Sequence, residues 1–454
     1  MEWGIDRRGG QDGHGSLPGM FQSLWKHPVA KYLGVMGLFN TLVVLIYYCY
    51  IESWTLAWML FSVTGDMRGL SEEGMKNFLY SYQNLNDASV HATWVPFAFF
   101  FGTLLLNFYI VGKGISAGIE KLAKIGMPIL FIFATILVVR VLTLPSAAAS
   151  PWDGLNFMYT PDWAALARPA VWLAAAGQIF FTLSVGMGSL SAYASYLKKD
   201  DDLALSGLAT AATNETAEVV LGGSLAIPAV VTFFGVSSAV AIANAGGFDL
   251  GFISMPLVFN RLPGGAVVGA AAGVMWFGLL FFAGITSSVA MATPMLSFME
   301  ENFGWQRRRS VAAVAALAIG LGVCHVIWYQ RGFLDEWDYW AGTFGLVVCA
   351  LLEVVIFVWI FGPENAWNEI NQGAQMRIPR YFKSIMTYVT PLFLFVIMGW
   401  WTVQDAIPTL LMHGKPAAEI PVRWASRGVM VVILLAQLWL IRLAWQRRAA
   451  SGRA

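Results

Sequence analysis

Five stretches of this chain, Trp94 to Ile110, Ile125 to Leu144, Val311 to Tyr329, Gly345 to Phe361 and Val429 to Leu443, carry at most one charged residue apiece. Such runs are too apolar to lie on a water-facing surface, and a helix that crosses a bilayer needs roughly 20 residues of this kind. A membrane β-barrel would instead show short alternating segments, because its strands turn successive side chains to lipid and to the lumen. These runs are continuous, so the fold class they predict is all-α and integral to the membrane. Composition agrees: 57% of residues are hydrophobic and 12% charged, against about 25% charged in a soluble domain.

Ten spans are expected, at 28–62, 93–112, 118–143, 170–197, 205–235, 264–300, 308–328, 334–361, 381–403 and 422–446. Residues 28–446 then form one transmembrane domain between a cytoplasmic segment, 1–27, and a cytoplasmic tail, 447–454. Most of the basic residues, among them Lys26, Lys121, Lys124, Lys198, Lys199, Arg307 to Arg309, Arg377, Arg380, Arg447 and Arg448, fall on the side shared by both ends of the chain. Positive charge stays in the cytoplasm, which places both termini there, in an inner (plasma) membrane. Residues 238–262 are apolar but broken by Gly246, Gly247, Gly251 and Pro256, and read as a lid-like hairpin on the outer face. Pro363 to Tyr381 is polar and reads as a short amphipathic helix. Met1 to Met20 is polar and glycine-rich, unlike a signal peptide.

Several function classes find no support. The net charge of +1 gives no reason to expect nucleic acid. Cys49, Cys324 and Cys349 stand alone inside apolar runs, as small core residues do, and no pair of histidines has metal-ligand spacing. No nucleophile–base pair marks an enzyme.

Three polar clusters interrupt the spans. In Gly177 to Ser189 two glycines within three residues, Gly186 and Gly188, sit beside Ser184 in an apolar helix. Glycine is unfavourable there by about 1 kcal/mol relative to Ala, so a helix break is one reading. Such a break exposes carbonyls to a cation and amides to a carboxylate. A face of small residues for helix packing is the other reading. Ala283-Gly284-Ile285-Thr286-Ser287-Ser288 offers neutral oxygens, which suit a hard monovalent ion, though interhelical hydrogen bonding is the commoner role of such residues. Asn214 to Glu218 places Glu218 where an inward carboxylate is expensive and therefore a functional candidate; Glu52 raises the same question.

Taken together these residues resemble the neurotransmitter:sodium symporter family in its bacterial amino-acid branch. The likeness is carried by Gly9 to Gly15, Tyr47 to Trp54, Gly177 to Gly188, Ala192 to Tyr196, Asn214 to Glu218, Phe281 to Ser288 and Trp340 to Thr343, in the same order. The resemblance implies an inverted-repeat transporter with discontinuous helices. It implies one sodium site that includes Thr182 and Asn214, and a second that includes the Ala283 carbonyl, Thr286 and Ser287. Val44, Tyr48, Phe181, Thr182, Ser184, Met187, Ser288 and Met291 would surround an amino-acid substrate, with the Tyr48 hydroxyl on its carboxylate and Phe181 as an aromatic lid. Asp338 would be the acidic half of the outer gate and Glu301 of the inner gate. Gly118 and Pro128 would match a pattern of inner unwinding, alongside Gly186 and Gly188 in the broken helix.

Glu218 stands where chloride-dependent relatives have serine, so a fixed carboxylate would replace the anion and transport would need no chloride. Met187 and Met291 make the pocket apolar and adaptable, which suits a neutral, hydrophobic amino acid. A homodimer is compatible with the resemblance. It also implies twelve spans, with Met1-Glu2-Trp3 at the tail of the second. The expectation is therefore that roughly 50–60 residues, two spans of ~20–25 each, are missing before Met1. Either the sequence starts at an internal methionine and the protein is longer, or the gene is decayed; as written, each sodium site would be incomplete and the chain inactive. The alternative from another class is a non-transporting membrane binding or sensory protein, or a decayed gene product that retains the fold.

Overall fold

The computed structural model describes residues 1–450; of the tail expected at 447–454, residues 451–454 lie outside the described residues. Among the described residues there are helices, turns and loops and no strand. This follows from the sequence: in hydrocarbon every backbone group must be bonded within its own segment, which a helix achieves and an open sheet does not.

In chain order the helices are α1 (Glu2–Gln11), α2 (Leu17–Leu24), α3 (Ala30–Thr64), α4 (Glu72–Gln83), α5 (Val95–Gly112), α6 (Ala117–Leu142), α7 (Pro151–Tyr159), α8 (Pro169–Thr182) and α9 (Ser191–Ala194). They continue as α10 (Leu203–Phe234), α11 (Val236–Ala245), α12 (residues 247–260), α13 (Gly265–Phe303), α14 (Arg307–Arg331), α15 (Phe333–Ile360), α16 (Pro363–Asn371), α17 (Tyr381–Leu410) and α18 (Ile420–Ala450). Nine of these (α3, α5, α6, α10, α13, α14, α15, α17 and α18) are long and apolar enough to cross a bilayer. The tenth expected span, 170–197, is not one continuous helix but two short ones, α8 and α9, separated at 183–190, where Gly186 and Gly188 lie.

One helix organises the rest. The apolar window of α3 is 83% buried, whereas those of α6 and α18 are 22% buried, so α3 is the centre and the others turn faces outward to lipid. A helix apolar on all sides fits such a central place. It lies along α13 and also meets α5, α14 and α18.

The segment expected as cytoplasmic, 1–27, is packed into the bundle. α1 lies against α2, α9 and α16, and Asp6 and Arg7 are fully buried. Arg7 is satisfied by other elements, with its Nε donating to Glu369 at 2.8 Å and its Nη1 to the carbonyls of Asp201 at 2.9 Å and Gln372 at 3.1 Å. A buried guanidinium with full acceptors is tolerated where an unpaired one is not.

α11 and α12 form a helical hairpin over residues 236–260, turning at Gly246 with φ +112°. It is tied to the bundle by two indoles, Trp58 donating to the Phe252 carbonyl at 3.2 Å and Trp276 to the Gly251 carbonyl at 3.3 Å. Gly118 lies in a π-helical turn, Ile115–Glu120, and the following helix runs unbroken through Pro128.

Candidate functional site

The site is built around the interruption between α8 and α9. Three residues there have positive φ: Ser184 at +54°, Gly186 at +71° and Gly188 at +78°. At Gly186 a Cβ would collide with the Leu346 carbonyl and Ala350 of α15, and at Gly188 it would press on the backbone of Gly37 in α3. Both glycines are therefore required twice, by torsion and by close approach. The backbone groups freed by the break find partners in other helices: Asn40 Nδ2 donates to the Gly186 carbonyl at 3.3 Å and the Gly345 carbonyl at 2.9 Å, and the Gly186 amide donates to Glu2 at 3.4 Å.

Beside the break lies a cavity of about 420 Å³. α3 contributes Val44 and Tyr48, the broken helix Gln178, Phe181, Thr182, Ser184 and Met187, α10 Glu218, and α13 Ala283, Thr286, Ser287 and Met291. Glu218 accepts hydrogen bonds from the Gln178 amide and the Thr182 hydroxyl, and Asn214 Nδ2 donates to Thr182 Oγ1 at 3.1 Å. On α13 the hydroxyls of Thr286 and Ser287 both reach the Ala283 carbonyl, at 3.0 and 3.1 Å. These are clusters of neutral oxygens, one of them beside a single carboxylate, against a wall of Val44, Met187 and Met291. The oxygens suit a small monovalent cation, and the wall suits an apolar side chain.

Two of the residues expected here stand just outside. Asn214 touches the cavity only through Thr182. Ser288 is fully buried and turns away, donating to Asn107 Oδ1 at 2.6 Å.

A second cavity, of about 710 Å³, lies against the first. Tyr48, Gln178 and Phe181 line both and stand between them. Asp338 lines the second, and its carboxylate accepts from the Tyr47 hydroxyl at 2.7 Å. Glu301, near the end of α13, accepts from His14 Nδ1 at 2.6 Å, from the Gly15 amide at 3.1 Å, and from Arg448 of α18.

Gln178, Asn40, Asn107 and Arg448 were not among the residues expected at the site. Gln178 was legible in principle, because it lies one turn before Thr182 on the same helix. The others reach the site from distant helices, and nothing in their local sequence marks that.

Residues 76–443 match the sequence model of the sodium:neurotransmitter symporter family. The chain belongs to this family. Among the relatives of this symporter is an uncharacterized sodium-dependent transporter of Methanocaldococcus jannaschii, 27% identical over 82% of this chain and 74% of its own length. An uncharacterized sodium-dependent transporter of Haemophilus influenzae is 28% identical over 81% and 78%. The sodium-dependent nutrient amino acid transporter 1 of Drosophila persimilis is 26% identical over 75% of this chain and 54% of its own. A crystal structure of MhsT in complex with L-phenylalanine superposes with a TM-score of 0.74 at 26% identity, covering 87% of this chain and 86% of that one. The symporter is thus a multi-pass membrane protein with the transporter fold, of a sodium-dependent family of transporters and not of enzymes.

Proposed function

We propose that the symporter carries a neutral, hydrophobic amino acid into the cell together with sodium, across the inner membrane and without chloride. The observation that carries the reading is the cavity of about 420 Å³, in which the broken helix, α3 and α13 bring clusters of neutral oxygens to an apolar wall. In this reading the Tyr48 hydroxyl takes the substrate carboxylate, Phe181 closes over it, and Val44, Ser184, Met187 and Met291 surround its side chain. One sodium ion is taken by Thr182 and Asn214, and a second by the Ala283 carbonyl, Thr286 and Ser287. Asp338 acts in the outer gate and Glu301 in the inner gate.

Glu218 supplies the negative charge that an anion would otherwise bring, and exchanges a proton during the cycle. Its two donors, Gln178 and Thr182, hold the carboxylate beside the first sodium position, where Coulomb attraction in a medium of low dielectric is strongest.

The test is uptake of L-phenylalanine and L-leucine into proteoliposomes that hold the purified chain. An inward sodium gradient is expected to drive uptake equally well with chloride or gluconate as the anion. Uptake that collapses in gluconate would reject the role given to Glu218. Sodium-dependent binding without any uptake would replace the transporter by a binding protein.

A further inference from the structure

Glu52 is left unused by this reading, yet its setting is unusual. It sits in the middle of α3 and is 2% exposed. Its carboxylate oxygens accept from one amide, Asn107 Nδ2 of α5, at 3.0 and 3.2 Å. Asn107 Oδ1 in turn accepts from the Ser288 hydroxyl of α13 at 2.6 Å. The groups that face Glu52 are neutral: Tyr48 and Cys49 on its own helix, Asn107 on α5, and Gly284 and Ser288 on α13. A carboxylate at membrane depth without a cation is expensive, and function is the default explanation for it.

We propose that Glu52 is a proton-binding site of the symporter, separate from Glu218, and that Asn107 and Ser288 relay its state to α13. The inference rests on the membrane-transporter reading above. Three features support it. Glu52 lines the cavity of about 710 Å³, which gives water a route to the carboxyl. It lies one helical turn from Tyr48, so it shares a face of α3 with the substrate pocket. The hydrogen-bond chain also has two complete arrangements, as a switch requires.

When the carboxyl is ionised, Asn107 donates to it and accepts from Ser288. When water delivers a proton to a Glu52 oxygen, the new O–H donates to Asn107 Oδ1 once that amide turns over. Asn107 Nδ2 then donates to the Ser288 oxygen, and the Ser288 hydrogen passes to its other acceptor, the Ile285 carbonyl at 3.2 Å. No covalent bond is made or broken besides the transferred O–H, and the Glu52 carboxyl, the Asn107 amide and the Ser288 hydroxyl each keep a partner in both states. The reorganised hydroxyl belongs to the turn of α13 that also carries Ala283, Thr286 and Ser287. Protonation at Glu52 is therefore felt in the pocket wall.

The test is infrared difference spectroscopy of the full chain in lipid nanodiscs, between acidic and alkaline buffer, which reads the carbonyl stretch of a buried carboxylic acid without requiring transport. Glu218→Gln is expected to keep a titrating band that is lost when Glu52→Gln is added to it. Asn107→Leu, which removes the amide donors of the ionised form, is expected to keep the band and to move its midpoint to higher pH. Where L-phenylalanine uptake is present, one linked proton makes it vary by up to about tenfold per pH unit, and Glu52→Gln should flatten that slope. Identical difference spectra for Glu218→Gln and for the double variant Glu218→Gln with Glu52→Gln overturn the proposal. A Glu52-dependent band in protein that takes up no amino acid upholds the proton site and counts against transport instead.

Discussion

At the scale of single residues the broken helix is specified by what two glycines lack. Gly186 is held at φ +71° with the Leu346 carbonyl where a Cβ would stand, whereas Gly235 has φ +82° and nothing within 4 Å of that position. Left-handed backbone is strained by on the order of 1–3 kcal/mol for a residue other than glycine. Gly235→Ala should therefore show that strain alone, and Gly186→Ala should add a collision with α15. Thermal unfolding of the two variants is expected to give the larger drop in Tm for Gly186→Ala; equal drops would mean that α15 yields at no cost. Next to this glycine, Met187 is buried and lines the pocket. Its unbranched side chain adapts to its neighbours, and a ring in its place fills fixed volume. Met187→Phe is accordingly expected to shift competition toward smaller amino acids, and an unchanged competition profile would remove Met187 from the pocket.

Elements are where the sequence was both most and least informative. The apolar runs predicted spans at 93–112 and 308–328, and the helices are Val95–Gly112 and Arg307–Arg331. Length and hydropathy suffice for this, because lipid makes the same demand on every spanning segment. Pairings between elements carry no local signal. The Gln178–Glu218 and Asn107–Ser288 bonds join residues 40 and 181 positions apart, and the burial of Asp6 and Arg7 in α1 depends on α16 and the loops around it. The ion cluster between α15 and α18 is a further case. Glu336, 1% exposed, accepts from Arg423 at 3.1 Å and from Arg427 at 2.6 Å. Arg423 also reaches Asp335 and Glu419, and Arg427 the carbonyls of Thr409 and Leu410. Removal of one partner from a buried pair costs roughly 3–5 kcal/mol. Both guanidiniums keep other acceptors, so Glu336→Gln should fall at the lower end of that range. Asp335→Asn, at a residue 56% exposed, should change Tm little, since exposed pairs contribute at most about 1 kcal/mol. If the two variants melt together, burial is not what gives the cluster its strength.

For the molecule as a whole, the strongest remaining inference from sequence is orientation. Helical packing alone is indifferent to which end of the bundle faces the cytoplasm; the distribution of Lys and Arg is not. Lys198 and Lys199 between α9 and α10, and Arg307 to Arg309 at the start of α14, lie on the side given to the cytoplasm, while the connection between α4 and α5 around Ser89 carries no Lys or Arg. Positive charge resists translocation, so Lys199 should face the cytoplasm and Ser89 the outside. Both positions are exposed, Cys49 and Cys349 are buried, and Cys324 alone is partly accessible. Ser89→Cys and Lys199→Cys can therefore be read one at a time in a Cys324→Ala background with a membrane-impermeant maleimide. Intact cells are expected to label Ser89→Cys and spare Lys199→Cys, and inside-out vesicles to do the reverse. The opposite pattern would invert the bundle, and with it the direction of transport and the assignment of Asp338 and Glu301 to outer and inner gates.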